Sequence, residues 1–232
     1  MRTPRLLLLL VAAIVVGCNT AATPSGTTAL RPPAVTPLAD APSAPEGSGL
    51  RAAIETGQGT IVVELFDRSS PVATANFVAL AEGGWYDGVV FHRLVPDFVI
   101  QGGDGLYGRT GSIDAERVGS GGPGYTIPDE PVVGEYARGI VAMARSPQPN
   151  SQGSQFFIVL SDRARLSLAQ ANTYAIFGRV VEGMDVADAI AAMPNSGPPS
   201  NRALQPVAMN RVTIQRTSAS RETGPRHRRT AL

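Results

Sequence analysis

One short segment of the chain combines residue types that could grip a substrate. The sequence FHRLVPDFVIQGGD, which begins at Phe91, places the cation Arg93 among apolar side chains, with the amide Gln101 further on. Because side chains alternate along a strand, we expect Phe91 and Arg93 to share one face, and Phe98 and Ile100 likewise. A guanidinium fixed beside an apolar wall suits an apolar ligand that carries a backbone amide. The segment therefore favours a peptide over a phosphate or a sugar.

The composition is that of one globular domain with tails. The chain has 232 residues, of which 43% are hydrophobic and 17% charged, so it can hold a sizeable core. Its 20 basic residues are all arginine, and the net charge is only +1. A nucleic-acid-binding face needs a clustered basic stripe. The acids and arginines are interspersed here, so we expect no nucleic-acid partner.

The N-terminus has the pattern of a bacterial lipoprotein signal. Arg2 and Arg5 precede an apolar run at residues 6–16, and the only cysteine, Cys18, follows Gly17. The run is too short to span a bilayer comfortably, which favours a cleaved signal over a permanent helix. Cys18 would then become the lipidated N-terminus, and more than one acyl chain gives stable anchoring. We expect an extracytoplasmic, membrane-anchored protein; an ordinary signal peptide with a chance cysteine is the alternative.

The chain divides into four parts. Residues 1–17 form the predicted signal peptide, and residues 18–49, rich in Ala, Pro, Thr and Ser, form a predicted flexible tether. The folded domain is predicted at residues 50–216, and a disordered basic tail at residues 217–232.

Short apolar runs separated by Gly- and Pro-rich loops dominate the domain. Two helices are predicted, one that begins at Ser70-Pro71 and ends at Gly83-Gly84, and one at residues 182–193. Seven strands are predicted, at residues 59–65, 89–94, 98–101, 140–144, 155–160, 174–181 and 207–215. Many strands with only two helices favour an all-β barrel or sandwich over a doubly wound sheet.

Other kinds of site are disfavoured by the residues present. Two glycine-rich segments, at residues 103–108 and 119–124, have dinucleotide-binding spacing, but neither opens a helix that could meet a pyrophosphate. No serine stands in a Gly-x-Ser-x-Gly elbow. His92 is the only histidine of the predicted domain, so a metal site is not expected there. We expect His92 to be structural and hydrogen-bonded, and we expect no cofactor.

Further motifs change the interpretation of the first segment. Together with it, the chain resembles the cyclophilin family of peptidyl-prolyl cis-trans isomerases over nearly all of residues 51–216. The motifs that carry the resemblance are TANF from Thr74, YDG from Tyr86, FHR from Phe91, GGPGYTIPDE from Gly121, MAR from Met143, GSQFFI from Gly153 and FGRV from Phe177.

The resemblance implies a closed eight-stranded antiparallel barrel capped by two helices. It also implies a substrate, the Xaa-Pro peptide bond, whose rotation barrier is about 18–20 kcal/mol. Catalysis needs no covalent step, only preferential binding of the twisted amide. By resemblance, Arg93 would donate a hydrogen bond to the proline nitrogen, and Gln101 would orient Arg93 and bind substrate backbone.

The remaining site residues follow from the resemblance as well. The proline pocket would consist of Phe98, Val99, Phe157 and Leu166, with Leu168 as the alternate because the family's usual turn is missing here. The substrate backbone would meet Ala144 and Arg145, and the neighbouring wall would include Gln155 and Tyr174.

The implied partners are proline-containing peptides and unfolded exported proteins, with the membrane reached through Cys18 and the domain monomeric. The alternative is a non-catalytic module that binds proline peptides at the cell envelope, and the altered loop at residues 166–173 makes it conceivable.

Overall fold

The computed structural model describes residues 45–216. Eight antiparallel strands close into a barrel in the order β1-β2-β7-β5-β6-β4-β3-β8, which confirms the expected fold. The strands are β1 Leu50–Thr56, β2 Gly59–Leu65, β3 Val89–Val95, β4 Val99–Gly102, β5 Ile140–Met143, β6 Phe156–Val159, β7 Ile176–Glu182 and β8 Arg202–Arg216. The helices are α1 Pro71–Glu82, α2 Ala164–Ala171 and α3 Met184–Ala191.

Aromatic side chains fill the interior of the barrel. Phe77 of α1 packs edge-on against Phe156 of β6, with ring centroids 5.5 Å apart. Tyr86 and Phe177 complete this group, and all four rings are almost fully buried. Burial of each such side chain is worth about 1.5–3 kcal/mol, so α1 is held to the barrel chiefly by its contribution to this core.

Helix α1 begins where the sequence predicts, with Pro71 in the first turn. The side chain of Ser70 does not cap it, because its hydroxyl donates to a carbonyl of β7. Glu130, from a distant loop, accepts hydrogen bonds from the N–H groups of Val72 and Ala73 at 2.9 and 2.8 Å. A carboxylate at the positive end of the helix dipole is favourable, so a long-range contact supplies the cap.

Three elements differ from the sequence-based prediction. The prediction missed β1, in which Ala52, Ala53 and Ile54 are buried in succession and give no alternating pattern. It began β8 too late, at residue 207. It also treated the segment that contains α2 as a loop; this third helix buries only Ala164 and Leu168 and therefore has a weak apolar signal.

A β-bulge at His92 decides which side chains of β3 face outward. Phe91 pairs with Gly102, and Arg93 with Gln101, so β3 advances two residues while β4 advances one. Phe91 consequently points into the barrel core, and Arg93 lies on the outside beside Gln101. The expectation that Phe91 and Arg93 share a face is therefore wrong.

The same expectation fails for Phe98 and Ile100. Ile100 belongs to the interior core, whereas Phe98 lies in the turn before β4 and packs against apolar residues on the outside of the barrel. The period of two applies only within a strand, and Phe98 precedes its strand.

Residues at the end of the predicted tether already contact the domain. The N–H of Glu46 donates to Ser69 Oγ at 2.9 Å, and the N–H of Ser48 donates to Asp67 at 2.7 Å. The predicted signal peptide, most of the tether and the basic tail lie outside the described residues. Among residues 45–216, no helix is long and apolar enough to cross a membrane.

Candidate active site

The bulge places Arg93 in a row of residues that crosses four strands on the outside of the barrel. Arg93 on β3 pairs with Gln101 on β4, Gln101 with Phe157 on β6, and Phe157 with Ala142 on β5. Side chains directly opposite on neighbouring strands are about 5 Å apart at Cβ. A cation, an amide and an aromatic ring therefore stand side by side.

An apolar cluster adjoins this row, and we call it the outer cluster. Phe157 and Tyr174 meet edge to face, with centroids 5.4 Å apart and an interplanar angle of 85°. The buried members of the outer cluster are Phe66, Val99, Tyr136, Ile140, Ala142, Phe157, Val159, Ala164, Leu168 and Ile176. Of the predicted site residues, Val99 and Phe157 belong to it, and Phe98, Ala144 and Tyr174 pack against it. The structure thus brings together most of the predicted proline pocket beside the row that contains Arg93.

Leu166 is the exception. Its side chain is 77% exposed, whereas Leu168 is 6% exposed and belongs to the outer cluster. Both lie on α2, where residues two apart point about 200° away from each other, so only one can pack inward. The exposure of Leu166 contradicts its assignment to the pocket, and the alternate, Leu168, is the leucine that packs into the outer cluster.

Arg93 is half-buried and has no acidic partner. None of the salt bridges among residues 45–216 involves it. Burial lowers the pKa of Arg93, and the neighbouring Tyr174 opposes that shift. An arginine nevertheless stays charged in proteins, so the outer face carries a partly desolvated cation whose N–H groups can serve a ligand.

Gln101 and Gln155 form a hydrogen-bonded pair with a defined direction. Gln155 Nε2 donates to the carbonyls of Gly119 and Gly121, at 2.9 and 2.8 Å. Gln155 Oε1 accepts from Gln101 Nε2 at 2.9 Å. Carbonyls can only accept, so the amide orientation of Gln155 is fixed, and that of Gln101 follows. Gln101 Oε1 is left available to accept a hydrogen bond.

Among the described residues no hydrogen bond joins Gln101 to Arg93, and Gln101 Nε2 donates to Gln155, so the orientation of Arg93 by Gln101 stays a prediction. The contribution of Gly119 and Gly121 was missed. The sequence predicted only a glycine-rich surface loop there. Nothing in the sequence indicated that the carbonyls of this loop would bind the side chain of Gln155, which directly precedes β6.

A groove of about 830 Å³ extends from Gln101 and Gln155 along the outside of the barrel. Ala144 and Arg145 line it, as does the loop at residues 119–126. The side chain of Arg145 is only 8% exposed and is bound to Asp129 at 2.9 Å. Arg145 is therefore held by its own domain and is suited to meet a ligand through its backbone.

His92 does not line this groove. Burial lowers its pKa to about 4, against the opposing effect of the nearby Asp104 carboxylate, so the ring is neutral at pH 7. Neither ring nitrogen has a hydrogen-bond partner among the described residues. Within residues 45–216, no group of three or more His, Cys, Asp or Glu side chains could hold a metal ion.

Known proteins share this fold and these motifs. Residues 51–214 match the model of the cyclophilin type peptidyl-prolyl cis-trans isomerase family. A peptidyl-prolyl cis-trans isomerase of Acinetobacter baylyi is 34% identical over 168 residues, which cover 70% of this chain and 84% of the relative. Another, from Streptomyces antibioticus, is 36% identical over 172 residues, covering 70% of this chain and 93% of the relative.

A solved structure is also similar to this chain. The crystal structure of a Cryptosporidium parvum cyclophilin-type isomerase, obtained in the presence of the dipeptide Ala-Pro, matches with a TM-score of 0.60 and 31% identity. The match covers 72% of this chain and 99% of that protein. The family model, these relatives and the shared barrel fold all indicate the same family. The chain belongs to the cyclophilin family of peptidyl-prolyl cis-trans isomerases.

Proposed function

We propose that Arg93 accelerates rotation about Xaa-Pro bonds by donating a hydrogen bond to the proline nitrogen of the twisted amide. In the planar amide the nitrogen lone pair is delocalised and accepts poorly. Twisting breaks the resonance that sets the barrier of about 18–20 kcal/mol and localises the lone pair. The hydrogen bond therefore strengthens at the transition state, which is the condition for catalysis.

The observation that carries this proposal is the half-buried guanidinium of Arg93, which has no salt-bridge partner among residues 45–216 and lies near Tyr174. A hydrogen bond to a charged donor contributes about 1.5–3 kcal/mol, and each 1.4 kcal/mol or so is a tenfold change in rate. One such contact, made mainly in the transition state, would give a factor of roughly ten to a hundred.

The outer cluster would hold the proline ring next to Arg93. Its members Val99, Phe157 and Leu168 are apolar, Phe98 packs against them, and Phe157 is in the same cross-strand row as Arg93. The rest of an extended peptide would run along the groove, where Ala144 and Arg145 offer backbone groups. Gln101 Oε1, which faces away from Gln155, would accept a hydrogen bond from the peptide or from Arg93.

The packing of Leu168 supports catalysis over the alternative of a non-catalytic binding module. That alternative depended on the altered loop at residues 166–173, which put the pocket leucine in doubt. Leu168 packs into the outer cluster, so the apolar wall would not depend on Leu166.

An isomerisation assay on an Ala-Pro peptide tests the role of Arg93. We expect Arg93→Ala to reduce kcat/KM at least about tenfold, because the donor is lost while the apolar wall stays. Arg211→Ala is the control, since Arg211 is an exposed arginine in the part of β8 that pairs with β1. Full activity of Arg93→Ala would overturn the proposal.

For the cellular role, we propose a lipid-anchored, extracytoplasmic enzyme that assists the folding of exported proteins. The support is the sequence around Cys18, which has the charged, apolar and small-residue order of a lipoprotein signal. A folding enzyme on a tether would meet exported chains as they emerge, while their Xaa-Pro bonds still isomerise in tens to hundreds of seconds.

A further inference from the structure

Asp104 is a fully buried carboxylate that begins the loop after β4. It accepts four backbone hydrogen bonds. Oδ1 accepts from the N–H groups of Leu106 and Tyr107, at 3.1 and 2.9 Å. Oδ2 accepts from Gly119 and Gly121, at 2.7 and 2.9 Å. One side chain thus joins residues 106–107 and residues 119–121 of the long loop between β4 and β5.

The two glycines connect Asp104 to the active site. Their N–H groups bind the carboxylate, and their carbonyls accept both hydrogens of Gln155 Nε2. Gln155 in turn accepts from Gln101, which pairs with Arg93 across β3 and β4. The close approach depends on glycine, because a Cβ on Gly121 would collide with Oδ1 of Asp104.

We propose that Asp104 is a positioning residue for the isomerase reaction. Its carboxylate fixes the carbonyls of Gly119 and Gly121, these fix the amide of Gln155, and Gln155 fixes which end of Gln101 faces the substrate. Hydrogen bonds in such a series polarise and support one another. The inference rests on the proposed role of Gln101 beside Arg93, and it assigns the control of that role to a residue that no substrate touches.

The substitution Asp104→Asn isolates this effect. An asparagine has only one acceptor oxygen, so two of the four N–H groups lose their partner whichever way the amide turns. Asp114→Asn is a matched control. Asp114 lies in the same loop and accepts from the N–H groups of Glu116 and Arg117, but its hydrogen bonds do not lead to Gln155.

A double-mutant cycle distinguishes positioning from general damage. Because small misplacements cost up to about a hundredfold in rate, we expect Asp104→Asn to lower kcat/KM by about ten- to a hundredfold. Gln155→Leu should have a similar effect, and the double variant should be no worse than the poorer single variant within about twofold. The control should keep its activity. Effects of the two substitutions that multiply, or an unchanged Asp104→Asn enzyme, would overturn the proposal.

A measurement on the unmodified enzyme covers the case in which Asp104→Asn does not fold. In NMR hydrogen exchange, the side-chain amide of Gln155 should be protected together with the N–H groups of Gly119 and Gly121, because one opening releases all three. Exchange of the Gln155 amide as fast as that of the exposed Gln205 would contradict the proposal. This measurement does not depend on activity, so it separates this inference from the role of Arg93.

Discussion

Two arginines on the outer face of the barrel illustrate how surroundings decide what a residue can do. The guanidinium of Arg145 donates hydrogen bonds within the domain, to Asp129 and to the carbonyls of Ser146 and Gln148, and little of the side chain is exposed. Arg93 is half-buried without such a carboxylate. Desolvation of a charge is costly unless it is compensated. In the proposed mechanism, the nitrogen of a twisted prolyl amide would be the hydrogen-bond acceptor for Arg93.

His92, next to Arg93, should act on stability and not on catalysis. Burial lowers its pKa from 6.5 to about 4, so the unfolded chain takes up a proton at a higher pH than the folded one. The resulting stabilisation is present above pH 6.5 and is lost as the pH falls towards 4.

Urea unfolding at pH 7 and pH 4 checks this prediction. Between these values the wild type should lose about 3 kcal/mol more of its free energy of unfolding than His92→Gln does. Equal losses in the two proteins would show that the ring of His92 titrates normally.

At the scale of elements, the bulge in β3 creates the site. The resemblance to the family placed Arg93, Gln101 and Phe157 in one site, and the strand pairing puts them in one row. A family motif can indicate such a row because it reflects how the strands pair in the folded protein. Period-two alternation alone would have put Arg93 in the barrel interior with Phe91. A bulge depends on pairing with β4 and β8, which are distant partners that a local pattern does not report.

Helix α2 shows a second limit of prediction from the local sequence. Its short sequence, ARLSLAQA, offers two leucines two positions apart, and local periodicity cannot say which one faces the barrel. The choice depends on the outer cluster, which is assembled from β4, β5, β6 and β7. Seven of the eight strands, α1 and α3 were predictable from motifs and apolar runs. Strand β1 and the loop contacts of Gly119 and Gly121 depend on folded geometry and were not.

Alanine substitution of the two leucines of α2 provides a matched pair. Leu168→Ala should lower the free energy of unfolding by about 2–4 kcal/mol, because it leaves a cavity in the outer cluster. Leu166→Ala should change it by less than about 0.5 kcal/mol. Urea titrations measure both. Similar losses in the two variants would mean that α2 does not pack by the Leu168 face.

At the scale of the whole molecule, the hydrophobic core and the candidate site lie on opposite sides of the same sheet. The barrel interior holds the aromatic core, and the outer face holds Arg93, the outer cluster and the groove. Contacts of Glu46 and Ser48 with the domain bring the start of the chain's described part against the barrel. The predicted anchor at Cys18 precedes these contacts in the sequence.

Removal of the predicted lipidation site should change location and not chemistry. We expect Cys18→Ala to shift the protein from the membrane fraction to the soluble fraction of the cells that export it. Its kcat/KM on an Ala-Pro peptide should stay within about twofold of the wild type, as for substitutions distant from a site. A Cys18→Ala protein that remains in the membrane fraction would refute the lipoprotein assignment.

The central claim is that Arg93 binds the transition state more strongly than the ground state, and NMR exchange spectroscopy with Arg93→Lys tests it most directly. Lysine keeps the charge but lacks the planar fork of the guanidinium. We expect the Kd of an Ala-Pro peptide to change by less than about threefold, while its bound-state isomerisation rate falls about ten- to a hundredfold. An unchanged isomerisation rate, or a loss of rate matched by an equal loss of affinity, would contradict the account.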